Sequence, residues 1–210
     1  MLHWADYVKF FVALAVIVNP VSALPLFVSM TANNSTAEKR QIARMASVSV
    51  AVVLVLAAFL GQPILTLFGI TIASFKVGGA ILILLMAISM MHAAPNRSKQ
   101  TPEEALEARN KESIAVVPLA IPLLAGPGAI STTIVYATER ASLPHLGLIV
   151  LCCLLVAAVA WVALRLATPV STWLGETGVN VATRLMGLLL AAVAVEMFTS
   201  GLLVLLPGLK

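Results

Sequence analysis

Charge is scarce in this sequence. Only 10% of its 210 residues are Asp, Glu, Lys or Arg, against about 25% in an ordinary soluble domain. A chain this short has no room to hide so apolar a surface from water, which excludes a soluble globule. Cysteine is almost missing. Cys152 and Cys153 are sequence neighbours inside an apolar run; neighbours rarely bridge, and no second ligand pair exists for a metal, so a disulfide scaffold and a thiolate metal site are excluded. No phosphate-binding loop is present, and with it goes the motif of an ATP-driven pump. A stripe of basic residues is lacking too, because the 13 Lys and Arg sit in loops or close to span ends. Nucleic acid is not an expected partner. The first residues carry no basic n-region, since Asp6 precedes Lys9 and the apolar run continues to Met30. An uncleaved membrane span is expected there, not a signal peptide.

What remains is 60% apolar, with a mean hydropathy of +1.03. The solvent for such a chain is a bilayer. A membrane helix needs about 20 mostly apolar residues, and six runs qualify, at 8–30, 43–60, 74–92, 114–138, 146–167 and 182–206. The break "GQPILTLFGIT" (61–71) is uncharged and suits either a tight hairpin or a short re-entrant helix. With six spans, one face of the membrane receives Lys39, Arg40, Arg44, Arg97, Lys99, Arg109, Lys111, Arg165 and Arg184, and the other only Lys9, Lys76, Arg140 and Lys210. The positive-inside rule then predicts both termini outside and the linker 93–113 in the cytoplasm. Within that linker "TPEEALEARNKE" reads as a short solvated helix capped by Thr101.

The chain also repeats itself. "NPVSALPLF" (19–27) corresponds to "GPGAISTTI" (126–134), "LGQPILTLFG" (60–69) to "LATPVSTWLG" (166–175), and "FKVGGAILILLMA" (75–87) to "TRLMGLLLAAVA" (183–194). The matches pair Pro20 with Pro127, Pro63 with Pro169, Gly69 with Gly175, Lys76 with Arg184 and Gly79 with Gly187. Each half holds three spans, so the second copy enters the membrane from the opposite side. This is the inverted repeat of many secondary transporters, whose sites lie near the midplane. The expected fold is all-α: one integral membrane domain of six helices, with repeat 1 at about 1–92 and repeat 2 at about 114–210.

Asn19-Pro20 and Gly126-Pro127-Gly128 fall at the middle of spans 1 and 4. Pro suits the first position of a helix, and Asn is a favoured N-cap. Both spans are therefore predicted to break at mid-membrane and restart, each new N-terminus presenting unpaired N–H groups and a positive dipole end. Substrate-binding candidates follow: Asn19, Pro20, Ser22, Gly126, Pro127, Gly128, Ser131 and Thr132. The plainer alternative is a pair of Pro kinks packed by their neighbours. Glu196 lies twelve residues beyond Arg184, about 18 Å along its helix and near the membrane centre. It is either a coupling or substrate-binding carboxyl, or a neutral acid bonded to another helix. Lys76 and Arg184, matched in the repeat, are candidates for gating or carboxylate contact; otherwise they snorkel. Ser131 beside a Gly-rich turn raises the thought of a hydrolase, but His3, His92 and His145 lie at span ends, so no enzyme is expected.

"NPVSALPLFVSMT", "KVGGAILILLMAISM", "VVPLAIPLLAGPGAIST" and "TRLMGLLLAAVAVEM" resemble the MarC family of bacterial inner-membrane proteins over nearly the whole chain. The resemblance implies the six-span fold and an inner-membrane location. It also implies transport, since some members are described as carriers of glycine, alanine and serine. Naming after a multiple-antibiotic-resistance locus does not establish drug efflux. The partners expected are a small-molecule substrate and the lipid bilayer, with no cofactor and no metal, and with a homo-oligomer left open. Export of another small solute or drug, and a non-transporting membrane scaffold, are the alternatives.

Overall fold

The computed structural model describes residues 4–32, 34–92, 124–140 and 142–209. All regular structure among them is helical. The helices are α1 (Trp4–Val18), α2 (Pro20–Met30), α3 (Thr36–Leu67), α4 (Ile72–Met91), α5 (Pro127–Thr138), α6 (Leu143–Arg165) and α7 (Ala167–Leu205), followed by a 3-10 turn at Pro207–Leu209. Five segments are long and apolar enough to cross a bilayer, counting α1 and α2 as one. The first half of the expected fourth span, the linker helix, Pro118 and Pro122 lie outside the described residues.

Hydropathy placed the second span at 43–60, but α3 is 32 residues long, about 48 Å at 1.5 Å per residue. Local capping explains the difference. Ser35 and Glu38 form a reciprocal capping box, with Glu38 N–H donating to Ser35 Oγ at 3.3 Å and Ser35 N–H to Glu38 Oε2 at 2.8 Å. The helix thus starts in the polar segment before Lys39. At its far end it runs through Pro63, whose ring leaves the Phe59 carbonyl without an intrahelical donor. The chain then reverses at Gly69 (φ 65°), and Thr71 caps α4 by accepting from Ser74 N–H at 3.1 Å. The segment 61–71 is therefore a helix end plus a tight turn.

Gly175 (φ 62°, ψ 177°) divides α7 into a short first arm and the spanning arm Thr177–Leu205. Gly69 and Gly175, paired by the sequence matches, are the two left-handed glycines among the described residues. Only glycine takes this conformation without strain.

α4 packs along α7, and α3 along α6. Between these pairs lies α5, which is buried almost throughout (Gly128, Ala129, Ser131 to Val135, Ala137) and touches α1, α3, α4 and α6. Glycines let the backbones come close. A Cβ on Gly187 would stand 3.0 Å from the Ala87 carbonyl, and one on Gly61 would fall on the Ile134 side chain. Among the described residues a Cβ on Gly78 would meet nothing within 4 Å, whereas one on its neighbour Gly79 would fall on Ser131. Cys152 and Cys153 are free and buried, as small packing residues would be.

Candidate functional site

The two breaks are built differently. Asn19 sits in the left-handed region (φ 43°, ψ 68°), and its Oδ1 accepts from Ser22 N–H at 3.4 Å, so it does cap α2. Ser22 Oγ donates back to the Asn19 carbonyl at 3.0 Å, and Asn19 Nδ2 points to Met90 Sδ at 3.6 Å. Gly126 is extended and offers no side-chain cap; α5 starts at Pro127. Ser131 Oγ donates to the Gly128 carbonyl at 3.0 Å, and Thr133 Oγ1 to the Ala129 carbonyl at 2.8 Å.

The breaks lie near each other, because a Cβ on Gly128 would come within 3.4 Å of Ile17 Cγ2, just before Asn19. The same Cβ would stand 2.8 Å from Ile83 Cγ1. Apolar side chains thus fill the ground beside Gly128. Asn19, Pro20, Gly126, Gly128 and Ser131 are buried, Ser22 is half-buried, and Pro127 is exposed.

A cleft of about 640 Å³ opens instead between α1 and α7, which touch each other only lightly. Helical periodicity builds its walls. Val8, Lys9, Val12, Ala13 and Val16 form one face of α1; Leu189, Ala192, Val193, Glu196, Met197 and Ser200 form one face of α7. The floor comes from Lys76 of α4 and from Thr132 and Tyr136, one turn apart on α5. Of the residues singled out in the sequence, Lys76, Glu196 and Thr132 meet here. Arg184 is exposed on α7 outside the cleft, and the remaining break residues do not line it.

Ammonium and carboxylate groups face the cleft from different helices. Among the described residues no ion pair joins Lys76 to Glu196. Among the described residues Thr132 Oγ1 has only Met197 Sδ, at 3.9 Å, as a side-chain acceptor, and a thioether is a weak one. Its hydroxyl is thus available to a stronger acceptor. The arrangement offers two ammonium groups (Lys9 and Lys76), one carboxylate (Glu196) and the hydroxyls of Thr132, Tyr136 and Ser200 among apolar side chains, and a few polar groups in an apolar wall are the usual make-up of a small-molecule site. Volumes of this size fall within the roughly 300–1,000 Å³ of such sites.

The rim near the α5–α6 turn is held by His145. It is buried, with Nε2 donating to the Tyr136 carbonyl at 2.8 Å and Nδ1 2.9 Å from the Tyr7 hydroxyl. Phe10 stacks on Tyr136 with centroids 4.8 Å apart. These contacts fix α1, α5 and α6 at one end of the cleft. Glu139 follows α5 there. Burial pushes its carboxyl above the usual carboxylate range, and the Lys76 ammonium and His145 draw it partly back.

Sequence reading missed Lys9, Tyr136, Ser200 and Met197. A signal existed for two of them: Tyr136 follows Thr132, and Ser200 follows Glu196, by one helical turn, so each shares a face with a residue already singled out. Among the described residues no group of three His, Cys, Asp or Glu could hold a metal.

Residues 4–206 match a family described as MarC family integral membrane protein. The chain is 43% identical over 203 residues to the UPF0056 membrane protein YhcE of Escherichia coli (strain K12), covering 97% of this chain and 94% of that one. It is 36% identical over 196 residues to the UPF0056 membrane protein MJ0972 of Methanocaldococcus jannaschii, covering 93% and 86%. It is 35% identical over 205 residues to the UPF0056 membrane protein YvbG of Bacillus subtilis (strain 168), covering 96% of each. No solved structure matches.

Proposed function

The chain belongs to the MarC family of integral membrane proteins, and on that premise we propose that it is a secondary transporter of small zwitterions, with small neutral amino acids such as glycine, alanine and serine as substrates. One observation carries this reading: Lys76, Glu196 and Thr132, from three helices, face one cleft. An amino acid carries a carboxylate for the lysine and an ammonium for the glutamate. A bound zwitterion thus meets a group of opposite charge at each end.

Alternating access follows from two inverted three-helix repeats, with six spans in all. Local features support this. A helix with Pro at its start follows a non-helical residue at both Asn19 and Gly126, and the paired glycines at 69 and 175 are both left-handed. The helices that the repeat makes equivalent, α4 and the spanning arm of α7, pack against each other. Arg184, matched to Lys76, takes the corresponding place in the other half for the opposite-facing state. An enzyme reading finds less support. The Ser131 hydroxyl donates to a backbone carbonyl, and both ring nitrogens of His145 have partners in Tyr136 and Tyr7.

In sealed proteoliposomes the purified protein should take up or exchange radiolabelled glycine, alanine or serine faster than empty vesicles do. If no amino acid in the panel crosses, the exporter or scaffold reading replaces this one.

The location proposed is the cytoplasmic membrane, with both termini outside. The cleft end of the bundle, which carries Lys9 and Ser200, then faces out. A single cysteine introduced at Thr101 should react with a membrane-impermeant maleimide only in opened cells, and one at Lys210 in intact cells. The reverse pattern would invert the protein in the membrane.

A further inference from the structure

At the opposite end from the cleft, α3 and α6 leave a groove of about 320 Å³ lined by Ala37, Arg40, Gln41, Arg44, Trp161 and Arg165. The α3 residues fall at i, i+3, i+4 and i+7, one face of the helix; Trp161 and Arg165 are one turn apart on α6. Three guanidinium groups thus line the groove, and among the described residues no carboxylate does. The nearby Glu38 carboxylate is turned to the start of α3, where it accepts from Ser35. Arg165 lies over the Trp161 ring, 5.3 Å from its centroid, which holds the guanidinium in one orientation before any anion arrives.

The same helix faces carry apolar residues farther along. Val48 and Val52, one and two turns beyond Arg44, are exposed, and so is Leu154, two turns before Trp161. Such a strip faces acyl chains in a bilayer. Together they offer guanidinium forks for a phosphate and an apolar track below it.

We propose that this groove is a binding site for an anionic phospholipid, with the headgroup phosphate held by Arg40, Arg44 and Arg165 and the chains lying along Val48, Val52 and Leu154. Its position between α3 and α6 places the lipid across the joint between the two halves of the chain. A soluble phosphate offers the same headgroup chemistry but leaves the apolar track uncovered, so the lipid is the occupant.

The test is native mass spectrometry of the full-length, delipidated protein titrated with phosphatidylglycerol or with phosphatidylcholine of the same chains. The wild type should retain one phosphatidylglycerol in preference to phosphatidylcholine. Arg40→Gln/Arg44→Gln and Arg165→Gln should each weaken retention, by about fivefold per guanidinium removed. Lys39→Gln, on α3 but outside the groove lining, should retain lipid as the wild type does. Equal retention of the two lipids, or arginine variants that bind like the wild type, would overturn the site. Displacement of the lipid by millimolar glycerol phosphate would overturn the lipid in favour of a soluble anion. If an arginine variant does not purify as a single species, the wild type still decides: phosphatidylglycerol must raise its unfolding temperature above that in phosphatidylcholine, and equal temperatures overturn the proposal.

Discussion

Glu196→Gln is expected to lower affinity for alanine by about ten- to hundredfold, the size of a lost charge-assisted hydrogen bond in a partly dry site. Lys76→Met should do the same from the other side of the cleft, because both side chains face the same space. Analogues separate the two roles. Lactate keeps the carboxylate and lacks the ammonium, so Glu196→Gln should leave its weak binding unchanged. Alaninamide keeps the ammonium and lacks the carboxylate, so Lys76→Met should leave its binding unchanged. A merely structural carboxyl would not show this crossed pattern. Isothermal titration of purified protein with the three compounds reads it directly. Were Glu196→Gln to bind alanine like the wild type, the cleft would not be the zwitterion site, and the packed breaks at Asn19 and Gly126 would again be the better place to look.

A second large effect is expected at Gly79, and it concerns packing. A Cβ there would stand 2.7 Å from Ser131 Cβ and 3.1 Å from Met197 Cε. Both neighbours are buried, one on α5 and one on α7. Gly79→Val therefore overfills the junction of three helices, at a cost of about 1–3 kcal/mol. Gly78→Val is the control. It changes the same helix by the same side chain, yet among the described residues a Cβ at Gly78 meets nothing within 4 Å. Thermal unfolding in detergent should show Gly79→Val several degrees below the wild type, at about 2–4 °C per kcal/mol for a chain of this size. Gly78→Val should stay near the wild type. Equal losses would mean that helix propensity, not the α4–α5–α7 junction, decides the outcome. Because Thr132 follows Ser131 on α5, Gly79→Val should also disturb the cleft floor.

Similar packing changes what a substitution at Gly128 can report. A valine there meets Ile83 and Ile17, so lost binding in that variant would reflect displaced core side chains as readily as a blocked site. Substitutions in the cleft wall are the cleaner probes.

Much of the architecture was legible before any coordinates. Hydropathy alone placed the protein in a bilayer and located the apolar centres of its spans. Asn19-Pro20 foretold a break and a capped restart, and the structure has α1 ending at Val18 and α2 starting at Pro20. Gly126-Pro127 foretold the start of α5. Pro63 misled, because α3 continues through it to Leu67; proline costs one intrahelical bond, which a well-packed membrane helix tolerates. These features are local. They depend on side-chain transfer energies, on caps, and on the φ values that Pro and Gly allow, all of which a short window of sequence contains.

Which polar groups share a space was not legible, and only the tertiary structure decided it. Lys76 and Glu196 are 120 positions apart in the numbering, and nothing local sets the rotation of α4 against α7. That rotation follows from close packing at Gly79, Gly187 and Gly201, where backbones and side chains of partner helices meet. Tertiary packing likewise buried Gly128 beside Ile17 and Ile83 and Asn19 against Met90, and left Arg184 outside the cleft. A short window of sequence was enough for a helical membrane protein with a break at Asn19 and a helix start at Pro127, because solvent preference and backbone restarts are properties of short segments. The tertiary structure determined that Lys76, Thr132 and Glu196 meet, because the azimuth of each helix is chosen by contacts between segments far apart in the chain.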